Sequence, residues 1–292
     1  YAHGKNFNQV QYHLAAQGDE VFVSPDGYVF LSGFGRFPTY YKGLFEQVGV
    51  KMQIFRVGTY KSFVEPYTRS DMSPEDREAT RDYLDAAWKA YQADIVAARP
   101  KAATHLARYV GDTAALLAES GGDAARMALD AGLVDGLKTA DEWRDHLKAQ
   151  LGAGDQGKGY KHVDMGTYIS RMRDEITAPE DKIGVVVAQG AIVDGEQPSG
   201  VVGGDTVAGL IRQAREDKSV KAVVLRVDSP GGSATASEVI RRELELTRQA
   251  GKPVVVSMGS VAASGGYWIS MAADEVWAGR STLTGSIGIF AM

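Results

Sequence analysis

The order of apolar runs in the second half of the chain most constrains its fold. Short and nearly continuous apolar runs predict buried strands at 183–188, 222–227 and 253–258. Amphipathic stretches predict helices between them, at 206–216 and 234–249. Apolar strands that alternate with helices form a parallel sheet covered on both faces, so this half of the chain is predicted to be α/β.

The first half shows the same alternation. Helices are predicted at 8–17, 40–48 and 74–99, and strands at 20–23, 28–31 and 50–57. The long helix has a clear beginning, with Ser73 as the capping residue and Pro74 at the first helical position. Thr139 and Glu142 form the pattern of a capping box ahead of another helix. The whole chain is therefore predicted to be α/β.

A glycine-rich polar stretch at 152–159 predicts a linker. It divides the chain into two predicted domains, 1–151 and 160–292. A chain of 292 residues with 44% hydrophobic content can bury the core of one large or two medium domains.

A short internal repeat relates the two predicted domains. Residues 12–21 align with residues 267–276 at a constant offset of 255, and they share the tyrosine and an Asp-Glu-Val triplet. Ser264 corresponds to Gln9 at this offset, so only the second copy carries that serine. We interpret this as a tandem repeat of βα units in which the first copy contributes something other than the serine.

Composition excludes several classes of function. The net charge of −5, with no block of basic residues, argues against a nucleic-acid partner. The absence of cysteine excludes disulfides, thiolate metal sites and cysteine nucleophiles. No apolar run approaches the ~20 residues of a membrane-spanning helix. The chain begins without a signal peptide and both ends resemble cut ends, so we expect it to be an internal excerpt.

The strongest candidate for chemistry is Ser264. It follows the strand at 253–258 and a run of small residues, and it precedes a Gly-Gly pair and a helical pattern. A serine at this turn is either the N-cap of the helix or a nucleophile whose oxyanion the helix N-terminus stabilises. The local sequence alone favours the cap.

Two other segments supply possible partners. The sequence Asp-Ser-Pro-Gly-Gly-Ser at 228–233 stands between a strand and a helix, where it forms either an anion-binding turn or an ordinary one. Lys61 lies at the end of a predicted strand beside Tyr60, Phe63 and Val64. Apolar surroundings lower the pKa of a buried lysine, whereas most lysines at such places are solvated.

No histidine stands where the sequence pattern would place a catalytic base. The five histidines, at positions 3, 13, 105, 146 and 162, do not follow apolar strands. Ala262 replaces the first glycine of the G-x-S-x-G elbow. A neutral lysine can activate a serine without histidine, and Lys61 has suitable neighbours.

Four segments together resemble the signal peptide peptidase A (protease IV) family in its long tandem-domain form. They are 58–66 (GTYKSFVEP), 229–233 (SPGGS), 262–270 (AASGGYWIS) and 283–290 (LTGSIGIF). The resemblance implies a ClpP/crotonase-like fold, with the later half of the first copy and the earlier half of the second copy in this chain. It also implies a serine–lysine dyad whose lysine comes from the first domain and whose serine comes from the second.

Carried over by motif, the resemblance assigns five residues. Ser264 is the nucleophile, Lys61 the general base, and Ser286 orients the lysine amine. The amides of Gly232 and Gly265 form the oxyanion hole. No cofactor and no metal are implied.

The implied protein is a serine endopeptidase that degrades signal peptides and other short hydrophobic segments. The resemblance further implies a homotetramer on the periplasmic side of the bacterial inner membrane, anchored by a segment outside this chain, with no nucleic-acid partner. Two alternatives remain open. One is an acyl-CoA hydratase or isomerase of the crotonase type, and the other is a non-catalytic assembly domain.

Overall fold

The computed structural model describes residues 1–174 and 180–291. The chain divides into two compact units. Unit 1 comprises Tyr1–Gly35 and Leu84–Thr177, and unit 2 comprises Arg36–Tyr83 and Ala178–Met292. The segment 36–83 therefore groups with the part of the chain that contains Ser264. The domain boundaries drawn from the glycine-rich linker at 152–159 stay a prediction.

The helices, in chain order, are α1 (Gln9–Ala15), α2 (Lys42–Gln47), α3 (Glu65–Thr68), α4 (Pro74–Ala98), α5 (Leu106–Gly111), α6 (Thr113–Glu119), α7 (Ala124–Asp130), α8 (Ala140–Leu151), α9 (Met165–Asp174), α10 (Gly204–Glu216), α11 (Ala234–Gln249) and α12 (Gly265–Ser270). Short 3-10 turns cover Ser62–Val64, Pro100–Ala102 and Asp155–Gly157. Within the described ranges, no helix has both the length and the apolar character needed to cross a membrane.

The strands are β1 (Ala2–Asn8), β2 (Val21–Phe30), β3 (Phe55–Val57), β4 (Gly136–Leu137), β5 (Lys182–Gln189), β6 (Ile192–Val193), β7 (Val202–Gly203), β8 (Val220–Ser229), β9 (Val254–Ala263), β10 (Glu275–Trp277), β11 (Leu283–Gly285) and β12 (Ile289–Ala291).

Unit 1 is built on a parallel sheet with the strand order β1-β2-β4. Two buried tyrosines fasten its core to the backbone. The hydroxyl of Tyr12 donates to the carbonyl of Leu133 at 2.6 Å, and that of Tyr109 donates to the carbonyl of Val29 at 2.7 Å. Each buried phenol thus has the hydrogen-bond partner that its burial requires.

Unit 2 is built on a larger parallel sheet with the order β10-β9-β8-β5, and β11 pairs with β9 beyond β10. Alternate residues of β8, among them Val223 and Leu225, are fully buried with Ile211 of α10 and Ile240 of α11 in one hydrophobic cluster. The α/β class predicted from the alternating pattern is confirmed. The predicted helices at 206–216 and 234–249 correspond to α10 and α11.

One expectation about this sheet is wrong. The sheet was predicted to be covered on both faces, but Ile183, Val185 and Val187 of the edge strand β5 are each more than half exposed. The helices α10, α11 and α12 pack together, and the alternate buried residues of β8 lie in the same hydrophobic core as these helices. The core therefore lies on one face of the sheet.

A short antiparallel pair joins the two segments of unit 2. The predicted strand at 50–57 is reduced to β3, which pairs with β12 so that Val57 lies opposite Ile289. The rings of Phe63 and Phe290 stack beside this pair, with centroids 4.7 Å apart. The residues that follow β3 are thereby held against the last strand of the described chain.

The sequence repeat corresponds to a structural one. In unit 1, β1, α1 and β2 form a βαβ arrangement in which Asn6 pairs with Tyr28. In unit 2, β9, α12 and the strands β10 and β11 form the same arrangement, in which Val261 pairs with Leu283. Both members of the second pair lie 255 positions after their counterparts, so the tandem repeat of βα units is confirmed.

Candidate active site

Ser264 lies at the turn between β9 and α12, as the sequence predicts. It occupies the N-cap position, but its side chain makes no capping hydrogen bond. Its backbone has φ 54° and ψ −117°, which is a sparsely populated conformation for a residue with a side chain. Its N–H donates to the carbonyl of Gly285 at 2.8 Å, and this bond helps to hold the turn. The capping interpretation is therefore wrong for the hydroxyl.

The hydroxyl of Ser264 instead contacts Lys61. The distance from Lys61 Nζ to Ser264 Oγ is 2.9 Å, and Lys61 is only 4% exposed. The amine also lies 3.0 Å from the carbonyl oxygen of Ser286 and 3.2 Å from its Oγ. A neutral amine has two N–H donors and one lone pair, so it can donate to both oxygens of Ser286 while it accepts from Ser264.

Burial disfavours the charged form of this amine. Removal from water penalises the ammonium form, and this desolvation lowers the pKa of Lys61 below its ordinary value. The three neighbouring oxygens are two serine hydroxyls and one backbone carbonyl, so none carries a negative charge that would favour the ammonium form. The environment therefore favours a lysine that can accept a proton.

Lys61 reaches this place because β3 lies against β12. A Cβ atom on Gly288 would overlap the carbonyl oxygen of Val57, so only glycine permits this close approach of the two segments. Lys61 is the fourth residue after the end of β3, and its backbone N–H donates to the carbonyl of Gly58 at 3.2 Å.

A buried carboxylate braces the other side of the lysine segment. Glu65 is 4% exposed and accepts from Ser73 Oγ at 2.6 Å and from the Ser73 N–H at 3.1 Å. Arg56 lies 3.5 Å from Glu65 and donates to the carbonyl of Lys61 at 3.4 Å. The sequence reasoning assigned no role to Glu65 and Arg56, although Glu65 belongs to the segment 58–66 that carries the resemblance.

The glycines proposed for an oxyanion hole lie beside Ser264. A Cβ atom on Gly265 would come within 2.6 Å of Ser237 Oγ and within 3.2 Å of the backbone nitrogen of Gly232. The backbone segments that carry the two amides therefore lie close together. The Gly265 amide is the first of α12, where helical N–H groups have no partner within the helix. This arrangement suits an anion, and the role of the two amides stays a prediction.

No histidine is among the described residues that line the cavity beside Ser264. All five histidines belong to the sequence of unit 1, whereas Lys61, Ser264 and Ser286 belong to unit 2. Within the described ranges, no group of three or more His, Asp or Glu side chains is arranged to hold a metal ion.

A cavity of about 880 Å³ opens onto the serine. It is lined by Val57, Lys61, Gly232, Ser233, Ala234, Ser264, Gly265, Tyr267, Trp268, Met271, Ser286, Ile287, Gly288, Ile289 and Phe290. The five residues assigned by motif are all among them. The other walls are mostly apolar, and none of the lining residues is acidic.

These features define an α/β protein with a serine at a strand-to-helix turn and a buried lysine in contact with it. The chain belongs to peptidase family S49, whose sequence pattern matches residues 1–153 and 246–292. The resemblance inferred from the four segments is confirmed, and the family supports the ClpP/crotonase-like assignment.

The similarity to individual relatives extends over nearly the whole chain. Protease 4 of Salmonella typhi is 47% identical over 295 residues, which cover 99% of this chain and 46% of that protein. Protease 4 of Haemophilus influenzae is 41% identical over 298 residues, which cover 100% and 48%. The chain thus spans about half the length of these relatives.

A solved structure, a ClpP1 variant of Listeria monocytogenes, is 20% identical to this chain, with a TM-score of 0.25. The match covers 30% of this chain and 46% of the ClpP1 chain.

Proposed function

We propose that this chain carries the active site of a serine endopeptidase that uses Ser264 as nucleophile and Lys61 as general base. The observation that carries the proposal is the 2.9 Å distance between Lys61 Nζ and Ser264 Oγ in a unit without histidine. A serine hydroxyl is a weak nucleophile until an adjacent base accepts its proton. The depressed pKa of Lys61 suits it to that role.

The proposed reaction proceeds through an acyl-enzyme. Ser264 Oγ attacks the scissile carbonyl while Lys61 accepts the hydroxyl proton, and the amides of Gly232 and Gly265 bind the resulting oxyanion. Lys61 then gives the proton to the leaving amine, and the C–N bond breaks. Water attacks the ester with Lys61 again as base, which releases the acid and restores the serine. Ser286 holds the amine in position throughout.

The proposed substrates are signal peptides and other short hydrophobic segments. The mostly apolar lining of the cavity supports this class, because apolar side chains gain free energy when they leave water. Family membership and the relatives named Protease 4 support a peptide substrate.

We also propose that the protein acts as a homo-oligomer, as a tetramer by resemblance. Several apolar side chains of segment 36–63 are exposed, among them Phe37, Val48, Phe55 and Val57. Exposed apolar surface of this density is typical of an interaction site. The proposed location, on the periplasmic side of a bacterial inner membrane through an anchor outside this chain, rests on the resemblance alone.

Labelling with a fluorophosphonate, followed by mass spectrometry of the Ser264 peptide, tests the proposal on both the full-length protein and this chain. We expect a mass shift on Ser264 and none in Ser264→Ala. A crotonase-type hydratase acts through acidic residues on a thioester and predicts no labelling but turnover of an acyl-CoA. An assembly domain predicts neither. Absence of labelling in the full-length protein would contradict the proposed function.

A further inference from the structure

One wall of the cavity is an indole whose orientation is set from outside the cavity. Trp268 lies on α12, one helical turn after Ser264, and lines the cavity. Its backbone N–H donates to the carbonyl of Ser264 at 2.9 Å. Its indole Nε1 donates to Glu238 Oε2 at 2.9 Å. Glu238 lies on α11 and is not among the lining residues.

The carboxylate that accepts this bond is itself fixed. Arg241 donates to both oxygens of Glu238, from Nε and from Nη2, at 2.8 Å each. Hydrogen bonds from Arg241 and from Trp268 lower the pKa of Glu238 to about 2, so the acceptor is ionised at neutral pH. A bidentate arginine pair fixes direction as well as charge.

We propose that Glu238 is a specificity-determining positioning residue that holds Trp268 in place and so limits the size of the substrate side chain bound next to Ser264. This inference rests on the proposed function. A tryptophan has few rotatable bonds, and a charge-assisted bond to its N–H selects one orientation of the ring. Without the bond the indole can turn, and the cavity accepts larger side chains.

The test compares two acidic residues of the same helix. Glu245 also accepts from Arg241, at 3.3 Å, but its recorded partners do not include the indole. Glu238→Ala and Glu245→Ala are therefore matched variants. The measurement is kcat/KM for two peptides that differ only in one residue at the cleaved bond, alanine in one and phenylalanine in the other.

We expect Glu238→Ala to change the phenylalanine-to-alanine ratio about tenfold in favour of phenylalanine, mainly through KM. Glu245→Ala should leave the ratio within about twofold. Glu238→Gln, which keeps an oxygen that can accept from the indole, should restore much of the selectivity. The rate of fluorophosphonate labelling of Ser264 should remain close to that of the unsubstituted protein, because the dyad is untouched.

A double-mutant cycle shows whether the effect passes through the indole. Trp268→Phe keeps an aromatic wall but removes the N–H donor, so adding Glu238→Ala to it should change the ratio no further. An equal effect of Glu238→Ala in both backgrounds, or an unchanged ratio in Glu238→Ala alone, overturns the proposal.

A second measurement does not depend on catalysis. In a protein whose other three tryptophans are replaced by phenylalanine, Trp268 emission should shift to longer wavelength in Glu238→Ala and not in Glu245→Ala. Identical emission in both variants contradicts the inference even if hydrolysis is never observed. A protein that shows the shift but neither labels nor cleaves contradicts the proposed function alone.

Discussion

Lys61 Nζ lies 2.9 Å from Ser264 Oγ, although 203 positions separate the two residues in the sequence. Two features of unit 2 bring them together. The β3–β12 pair holds the lysine segment against the end of the chain, and the turn after β9 directs the serine toward it. The same amine reaches both oxygens of Ser286, so three oxygens surround one buried nitrogen.

The first prediction concerns the dyad itself. Ser264→Ala and Lys61→Ala should each lower kcat by about 10⁴-fold or more, and the double variant should lose little beyond either one, because the two residues act as a unit. Peptide hydrolysis with active-site titration measures this, with circular dichroism as the control for folding. Activity of Lys61→Ala within tenfold of the unsubstituted protein would exclude lysine as the base.

The second prediction concerns pH. Because the base must be neutral and burial lowers the pKa of Lys61, kcat/KM should rise with pH through that depressed pKa and level off above it. Between the folded-state pKa and the ordinary value near 10.5, the unfolded state binds more protons, so the free energy of unfolding should rise with pH there.

Lys61→Met removes the titrating amine and is the control for this stability effect. It should flatten the rise when unfolding by urea is followed across that pH range. A pH profile for hydrolysis that levels off near 6.5, the value of an ordinary histidine, would point to a different base.

The third prediction concerns Ser286. Ser286→Ala removes the oxygen 3.2 Å from the amine but keeps the carbonyl at 3.0 Å. We expect kcat to fall by roughly tenfold, the effect of about one hydrogen bond, and so far less than for Lys61→Ala. Steady-state kinetics of the two variants side by side test this. A loss as large as that of Lys61→Ala would mean that Ser286 takes part in the proton transfer.

The fourth prediction concerns the close approach that places the lysine. Gly288→Ala introduces a Cβ atom that overlaps the carbonyl oxygen of Val57, so it should separate β3 from β12 and lower kcat by at least tenfold. Gly279→Ala is the matched control, because a Cβ atom there meets only Thr282 Oγ1, at 3.6 Å. Equal activities of the two variants would show that the pair does not position Lys61.

Part of the candidate site could be predicted from the sequence, because several of its features depend only on neighbouring residues. A strand followed by small residues, one serine and a glycine pair predicts a serine at a strand-to-helix turn, and Ser264 lies there. The neighbouring residues could not decide whether Ser264 caps the helix or acts as a nucleophile. The answer depends on the direction of the hydroxyl, and that direction follows from a backbone conformation that periodicity does not encode.

The internal repeat also shows what the sequence predicts and what the tertiary structure adds. The offset of 255 predicted that Gln9 stands where Ser264 stands, and the structure gives that glutamine a structural task. Gln9 donates to the carbonyl of Gly33 at 3.2 Å and accepts from its N–H at 2.7 Å. A side chain that pairs with both the N–H and the carbonyl of one residue fixes a loop, so the first copy uses this position for stability.

The sequence by itself determined the α/β class, the helices at 206–216 and 234–249 and the turn that carries Ser264, because apolar periodicity, capping residues and short motifs act over a few neighbouring positions. The roles of the five candidate site residues came from the family resemblance and stay predictions. Only the tertiary structure decided that Lys61 reaches Ser264, that Arg56 and Glu65 brace the lysine segment, and that Glu238 holds the indole of Trp268. These contacts join residues on separate strands and helices. Their geometry arises from how the segments pack, which no local pattern of residues specifies.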